Sequence, residues 1–260
     1  MKKMVLTVAA TVALALTGSA SATIIHNTDV TPTIIYGSGN ANGNFSIDQN
    51  AGVELGLRAK IPYTGLSLHD GNGVFSFNSA EILASGVDRW NFDFTVNSDF
   101  DGTSGFNLDD LTYLLAVDFD PTTGTSFTSF DPISQSTGFF AKADHAIGNN
   151  STANGGGATT IWGSTYRNRL ASNNVLQQSW ALGMSAVGGP AGYDVYAPGT
   201  YDINFSAFYQ GNEIAATSIQ VVINDGLPVT NAPVPEPATM TLLGLGLAGL
   251  GLRARKRKRA

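Results

Sequence analysis

Apolar residues recur at every second position through the middle of this chain. Val53, Leu55, Leu57, Ala59 and Ile61 alternate with Glu54, Gly56, Arg58 and Lys60, and Trp90, Phe92, Phe94 and Val96 alternate with Asn91, Asp93 and Thr95. Leu111, Tyr113, Leu115, Val117 and Phe119 form a third file, and Tyr201, Ile203, Phe205, Ala207 and Tyr209 a fourth. A period of two sends successive side chains to opposite faces, so each file predicts a strand with one buried and one wet face. Strands of that kind belong to antiparallel sheets. Ala215–Ile223 follows the fourth file after Gln210-Gly211-Asn212, which predicts a hairpin. Only Ser164–Ala171 reads as helix, too little for a βαβ arrangement. The predicted fold is all-β: an antiparallel β-sandwich, immunoglobulin-like or jelly-roll-like, with its longest loops at Pro121–Ser136 and Gly148–Ala158. Tyr201, at the start of the last hairpin, stands where a corner tyrosine would.

The two ends follow other rules. Lys2 and Lys3, an apolar run from Met4 to Leu16 and the small residues Ala20-Ser21-Ala22 occur in the order of a secretory signal, with Ala20 and Ala22 at the cleavage site. The mature chain is expected to begin near Thr23. At the other end, Ala238–Leu252 carries no charge, and as a helix it would span about 22 Å at 1.5 Å per residue. A bilayer core is about 30 Å thick, and Gly244, Gly246, Gly249 and Gly251 weaken the helix further. Arg253, Arg255, Lys256, Arg257, Lys258 and Arg259 favour the cytoplasmic side, so residues 23–237 are expected outside the cytoplasmic membrane. The expected organisation is a signal at 1–22, an ectodomain at 23–227, a linker at 228–234 and a tail at 235–260. A span this short and glycine-rich suits a temporary stop better than a permanent anchor.

Val234-Pro235-Glu236-Pro237, the short hydrophobic segment and the basic end together resemble the PEP-CTERM sorting signal of Gram-negative bacteria that make extracellular polymers. The resemblance implies that Pro235, Glu236 and Pro237 are recognised by exosortase, a membrane-embedded cysteine protease. The chemistry is consistent, because two prolines keep the backbone extended and free of helical hydrogen bonds beside the membrane. The same tail is also known as an ice-binding protein C-terminal domain. The ectodomain has no internal repeat, and Thr31/Thr33 and Thr159/Thr160 are isolated pairs, so no regular ice-binding face is expected. Val53–Lys60, Gly102–Tyr113, Asp144–Gly157 and Asn173–Trp180 resemble the ectodomain of one PEP-CTERM subfamily, a likeness that implies no activity.

Charge and residue types narrow the chemistry. Between Thr23 and Pro235 six basic residues face nineteen acidic ones, which disfavours nucleic acid and anionic lipid as partners. Cysteine is absent, so packing alone must stabilise the fold. His26, His69 and His145 show no metal-binding spacing, and there is no GxSxG elbow or phosphate loop. Asp144-His145 are strand neighbours that would face opposite ways. Asn97-Ser98-Asp99-Phe100-Asp101-Gly102 begins like a calcium loop, so Asn97, Asp99 and Asp101 are candidate calcium ligands. Leu108 stands where that loop needs a bidentate glutamate, and a plain Asp-Gly turn explains the motif equally; Asp118 and Asp120 flank a second turn of this kind. Trp162, Tyr166 and Trp180 are candidate sugar-stacking aromatics. The expected function is a structural, adhesive or polysaccharide-associated role at the cell surface or in the extracellular matrix, without catalysis. A secreted carbohydrate-active enzyme or carbohydrate-binding module is the alternative; glycoside hydrolysis would require two facing carboxylates.

Replacing Pro235 and Glu236 by alanine is expected to leave unprocessed protein in the membrane fraction. Immunoblotting of membrane and medium, with the mass of the released form, checks this; unchanged release and mass would refute it.

Overall fold

The computed structural model describes residues 23–64, 68–85, 90–133, 145–160, 163–182, 187–190, 193–194 and 196–225. The signal segment with Ala20 and Ala22, the linker, Pro235-Glu236-Pro237 and the expected C-terminal helix lie outside the described residues.

Two sheets pack face to face. The first runs β1 (Ile25–Thr28), β2 (Phe45–Asn50), β3 (Val53–Lys60), β5 (Asn91–Asn97), β10 (Val175–Ala181), β8 (His145–Gly148) and β9 (Ala158–Thr160), all antiparallel. The second runs β4 (Val74–Asn78), β12 (Asn212–Asn224), β11 (Gly199–Tyr209), β6 (Thr112–Asp118) and β7 (Phe127–Phe130). The four apolar files meet between the sheets: Leu55 and Leu57, Phe92 and Phe94, Leu115 and Val117, and Ile203 and Phe205 are all fully buried. Phe94 makes edge contacts with Phe205 across the sandwich at 5.6 Å and with Trp180 at 5.0 Å. The structure is thus all-β with two packed sheets, as expected, with one difference of direction: β4 joins β12 in parallel.

The last hairpin is the one expected. Gln210 and Gly211 both have positive φ, the geometry of a two-residue primed turn, and glycine supplies the second position without strain. Tyr209, expected inside, stands at the hairpin end past a register shift between Ala207 and Phe208, where it is 37% exposed and rests on the Phe106 ring at 4.7 Å. Tyr201 behaves as a corner tyrosine, its hydroxyl donating to the Ala197 carbonyl at 2.7 Å.

The helix expected at Ser164–Ala171 is α2 (Gly163–Leu170). A second helix, α1 (Ser79–Ala84), starts from a capping box in which Asn78 accepts from the Ala80 N–H and Glu81 accepts from the Asn78 N–H. The expected loop Pro121–Ser136 contains β7, an edge strand of only four residues.

A larger difference concerns the outer face of the first sheet, which the alternation assigned to water. Glu54, Asp93, Asn97 and Gln177 on that face are fully buried. The segment 29–44, a strap joining β1 to β2, lies across them. Sheet side chains satisfy its backbone: Glu54 accepts from Thr31 N–H at 2.7 Å, and the Asn97 amide donates to Thr31 O at 3.0 Å. Gln177 uses both ends of its amide, donating to Thr33 O at 2.8 Å and accepting from Ile35 N–H at 2.7 Å. The 149–157 loop adds N–H groups of Gly155 to Ile34 O and of Gly157 to Ile35 O. Apolar contacts complete the seal, with Val30 and Ile34 against Phe45 and Ile47, and Ile35 against Ala146 and Val175.

Gly56 permits this approach, since a Cβ there would stand 2.6 Å from Thr95 Cγ2 and 3.0 Å from Val30 Cγ1. Gly56→Val is therefore expected to lift the strap and destabilise the fold by about 1–3 kcal/mol. Denaturant titration should register the loss, and limited proteolysis should gain cuts within 29–44; an unchanged midpoint and digest would refute the role given to Gly56.

Candidate functional site

The residues proposed from sequence as calcium ligands are engaged in hydrogen bonds within their turn and beneath the strap. Asn97 points under the strap, where its carbonyl oxygen accepts from the Asn174 amide at 2.8 Å and its NH2 donates to Thr31 O and Asn150 Oδ1. One oxygen of Asp99 gathers the Ser104 N–H, Ser104 hydroxyl and Gly105 N–H, while Asp101 caps Thr103 through both N–H and hydroxyl. Asp118 and Asp120 close their turn in the same way, on Ser126 and Thr122. Among the described residues no group of three or more His, Cys, Asp or Glu is placed to hold a metal ion.

The aromatic candidates also fall elsewhere. Tyr166 and Trp180 are buried core residues, and Trp162 lies outside the described residues. Both buried rings pack around His145, whose Nε2 bonds to the Pro132 carbonyl at 2.8 Å. Stacking on a sugar ring is closed to Tyr166 and Trp180, because their faces are already covered.

A different constellation occupies one end of the strap. Pairing of β3 with β5 sets Arg58 directly opposite Asp93 and Lys60 opposite Asn91, so both cations reach one carboxylate. Arg58 Nε lies 2.7 Å and Lys60 Nζ 2.9 Å from Asp93 Oδ2. The Tyr36 hydroxyl, carried in by the strap, donates a short hydrogen bond to the same oxygen and accepts from Arg58 and Lys60. Arg58 spends its remaining reach on the carbonyls of Ala41 and Gly43 and lies over the Phe45 ring at 4.4 Å.

Burial works to raise the Asp93 pKa, but Lys60 and Arg58 outweigh it and hold the carboxyl below its ordinary range. Burial also works against the Arg58 cation, and Asp93 more than offsets it. Burial, reinforced by Asp93, keeps the Tyr36 phenol neutral far above its usual range. Glu54 and Asp48, buried without a cation among their recorded partners, are both shifted upward, chiefly by burial.

This cluster floors a cleft of about 550 Å³, within the range of small-ligand sites. Strap residues between Tyr36 and Asn44 line it together with Asn91, Ser179 and Ile61-Pro62-Tyr63, of which Tyr63 is the exposed rim. Tyr63 is 92% exposed and has φ +62°, a conformation that bulky residues seldom adopt. Strain of this kind persists where surroundings fix it, and here it displays an aromatic ring at the mouth of a polar cleft. Sequence reasoning passed over Tyr63, Tyr36 and the amides of the strap, because a Gly/Asn-rich stretch reads as a loop. The available signal was the pair of cations on an otherwise acidic ectodomain.

The described residues form a β-sandwich, and the sequence beyond them carries the features of a C-terminal sorting segment. Residues 233–257 match the family model of the PEP-CTERM protein-sorting motif, and no curated protein matches the chain. The chain carries a PEP-CTERM protein-sorting motif, and the motif implies export, processing by exosortase and sorting to the cell surface in Gram-negative bacteria.

The pKa directions set the pH response. Glu54 and Asp48, with raised folded values, take up protons on folding, so their contribution to stability grows as pH falls from neutral through those values. Asp93, with a depressed value, stabilises fully above its ordinary 3.8 and loses that contribution as pH drops further. The urea midpoint is therefore expected to rise from pH 7.5 to about pH 4–5 and then fall. Glu54→Gln should flatten the rising limb and leave the falling one; a midpoint that declines steadily from neutral pH would contradict this assignment.

Proposed function

We propose that this protein is a non-catalytic component of the cell surface or extracellular matrix that binds polysaccharide through the cleft beside Tyr63. The observation that carries the reading is an exposed, conformationally strained tyrosine at the rim of a cleft furnished with amides, a hydroxyl and cations. Sugars are bound by that combination: an aromatic face stacks on the C–H surface of the ring, and fixed donors and acceptors engage the hydroxyls. Asn40, Asn42, Asn44, Asn91 and Ser179 place amides and a hydroxyl along the lining, and their bonds to the strap backbone, to His69 and to one another hold them in fixed orientation.

Hydrolysis of a glycosidic bond would call for two carboxylates across the cleft, one as acid and one as base or nucleophile. Among the described lining residues none is a carboxylate, and Asp93, bonded to Arg58 and Lys60 of the lining, is fully buried and held by two cations. This favours retention of a polymer over its cleavage. Sorting to the surface by exosortase would then place the cleft within the extracellular polymer layer, where a binding module is of use.

Tyr63→Ala tests the proposal, because the ring is exposed and its loss should change stability by less than about 0.5 kcal/mol. Retardation of the purified chain in gels cast with extracellular polysaccharide is expected for wild type and at least about tenfold weaker for the variant. Equal retardation of both, or none of wild type across a glycan panel, would overturn it.

A further inference from the structure

We infer that the cleft selects saccharides bearing carboxylates, with Lys60 as the residue that meets the ligand's negative charge; this rests on the saccharide-binding reading above. Charge distribution supplies the first argument. Of six basic residues between Thr23 and Pro235, two, Arg58 and Lys60, line this one cleft, while the same stretch holds nineteen acidic residues. Asp93 neutralises one of the two charges, so the cluster keeps one net positive charge on a strongly negative molecule.

Hydrogen-bond capacity identifies where that charge is presented. Arg58 is enclosed: its side chain is 7% exposed and its nitrogens serve Asp93, Tyr36, Ala41 and Gly43. Lys60 is 17% exposed and uses two of the three N–H donors of an ammonium, on Asp93 and on Tyr36 at 3.0 Å. The third donor remains, on a group that lines the cleft. The Tyr36 ring, 5.0 Å from Nζ, and the bonded Asp93 fix the ammonium in position, so little side-chain entropy is lost when a ligand engages it.

Among the described lining residues the amides and hydroxyl are neutral and none is a carboxylate. A uronate therefore meets one fixed cation without a facing anion, and its ring can lie against Tyr63. Outside the cleft the acidic surface repels a polyanion, which confines engagement to a short stretch of the polymer.

The test uses the full-length purified chain in mild detergent and isothermal titration calorimetry at pH 7. Tri- and tetragalacturonate are compared with their methyl esters, which keep the sugar and remove the charge, and with sodium acetate at equal carboxylate concentration. The free acids are expected to bind at least about tenfold tighter than the esters, and acetate is expected not to compete. Lys60→Gln should bring acid and ester within about twofold, whereas Tyr63→Ala should weaken both alike. Because Lys60→Gln also unpairs Asp93 and can lower stability, the acid-to-ester comparison on the wild-type chain decides independently. Equal affinity for acid and ester overturns the charge selection and leaves saccharide binding standing. Competition by acetate reduces the site to a simple anion site and overturns it as well. Absence of binding by acid, ester and a neutral glycan panel removes the underlying reading.

Discussion

Everything built on the outer face of the first sheet depends on one exchange: polar sheet side chains satisfy the backbone of a strap that has no strand partner. A segment with no ladder of its own can be buried only if its N–H and C=O groups find other partners. Here Glu54, Asn97 and Gln177 provide them from β3, β5 and β10, the three central strands of that sheet. In return the strap excludes water from residues that would otherwise be solvated. Each side resolves the other's unsatisfied polarity, so neither arrangement is stable alone.

The Arg58–Asp93–Lys60 cluster extends the same logic to charge. Removing a buried carboxylate from two cations costs far more than the pair contributes, because what remains is unpaired charge. Apolar replacement of a whole cluster, by contrast, is often neutral or stabilising. Holding the strap accounts for the bonds of Arg58 to Ala41, Gly43 and Tyr36. The position of the ions under an open cleft, with the Lys60 head partly accessible, is what a ligand-facing role accounts for.

Legibility in the sequence divided along the same line. The apolar files of β3, β5, β6 and β11, the final hairpin and α2 could be read directly, since periodicity and turn chemistry are local. The helix α1 was also readable in principle from Asn78-x-x-Glu81, but the apolar strand before it masked the cap. Burial of the polar face was not readable, because Glu54, Arg58 and Asp93 look identical in sequence whether water or a strap covers them. Segment 29–44 has no period, and the cross-strand pairing that brings Arg58 to Asp93 depends on which strands are neighbours. For the candidate calcium loop, sequence does not separate a cation site from a plain turn, because turns use the same oxygens to accept from nearby N–H groups, as Asp99 and Asp101 do here. Tyr63 was missed for a related reason: exposure and positive φ are properties of the fold.

Because the strap supplies Tyr36 and other lining residues, the cleft exists only when the strap is docked, and site formation cannot be separated from completion of the fold. The strap lies near the N-terminal end of the described chain, yet its partners on β5 and β10 come much later, so docking must await synthesis of most of the described chain. Asp48 and Ser46 of β2 add to this, bonding to Ala216 and Thr217 of β12, near the end of the described chain. The last strand thereby locks the element that follows the strap, and the sorting segment begins only a few residues beyond it. Processing at that segment would therefore act on a chain whose cleft-forming elements all precede it, which gives the position of the motif a structural consequence.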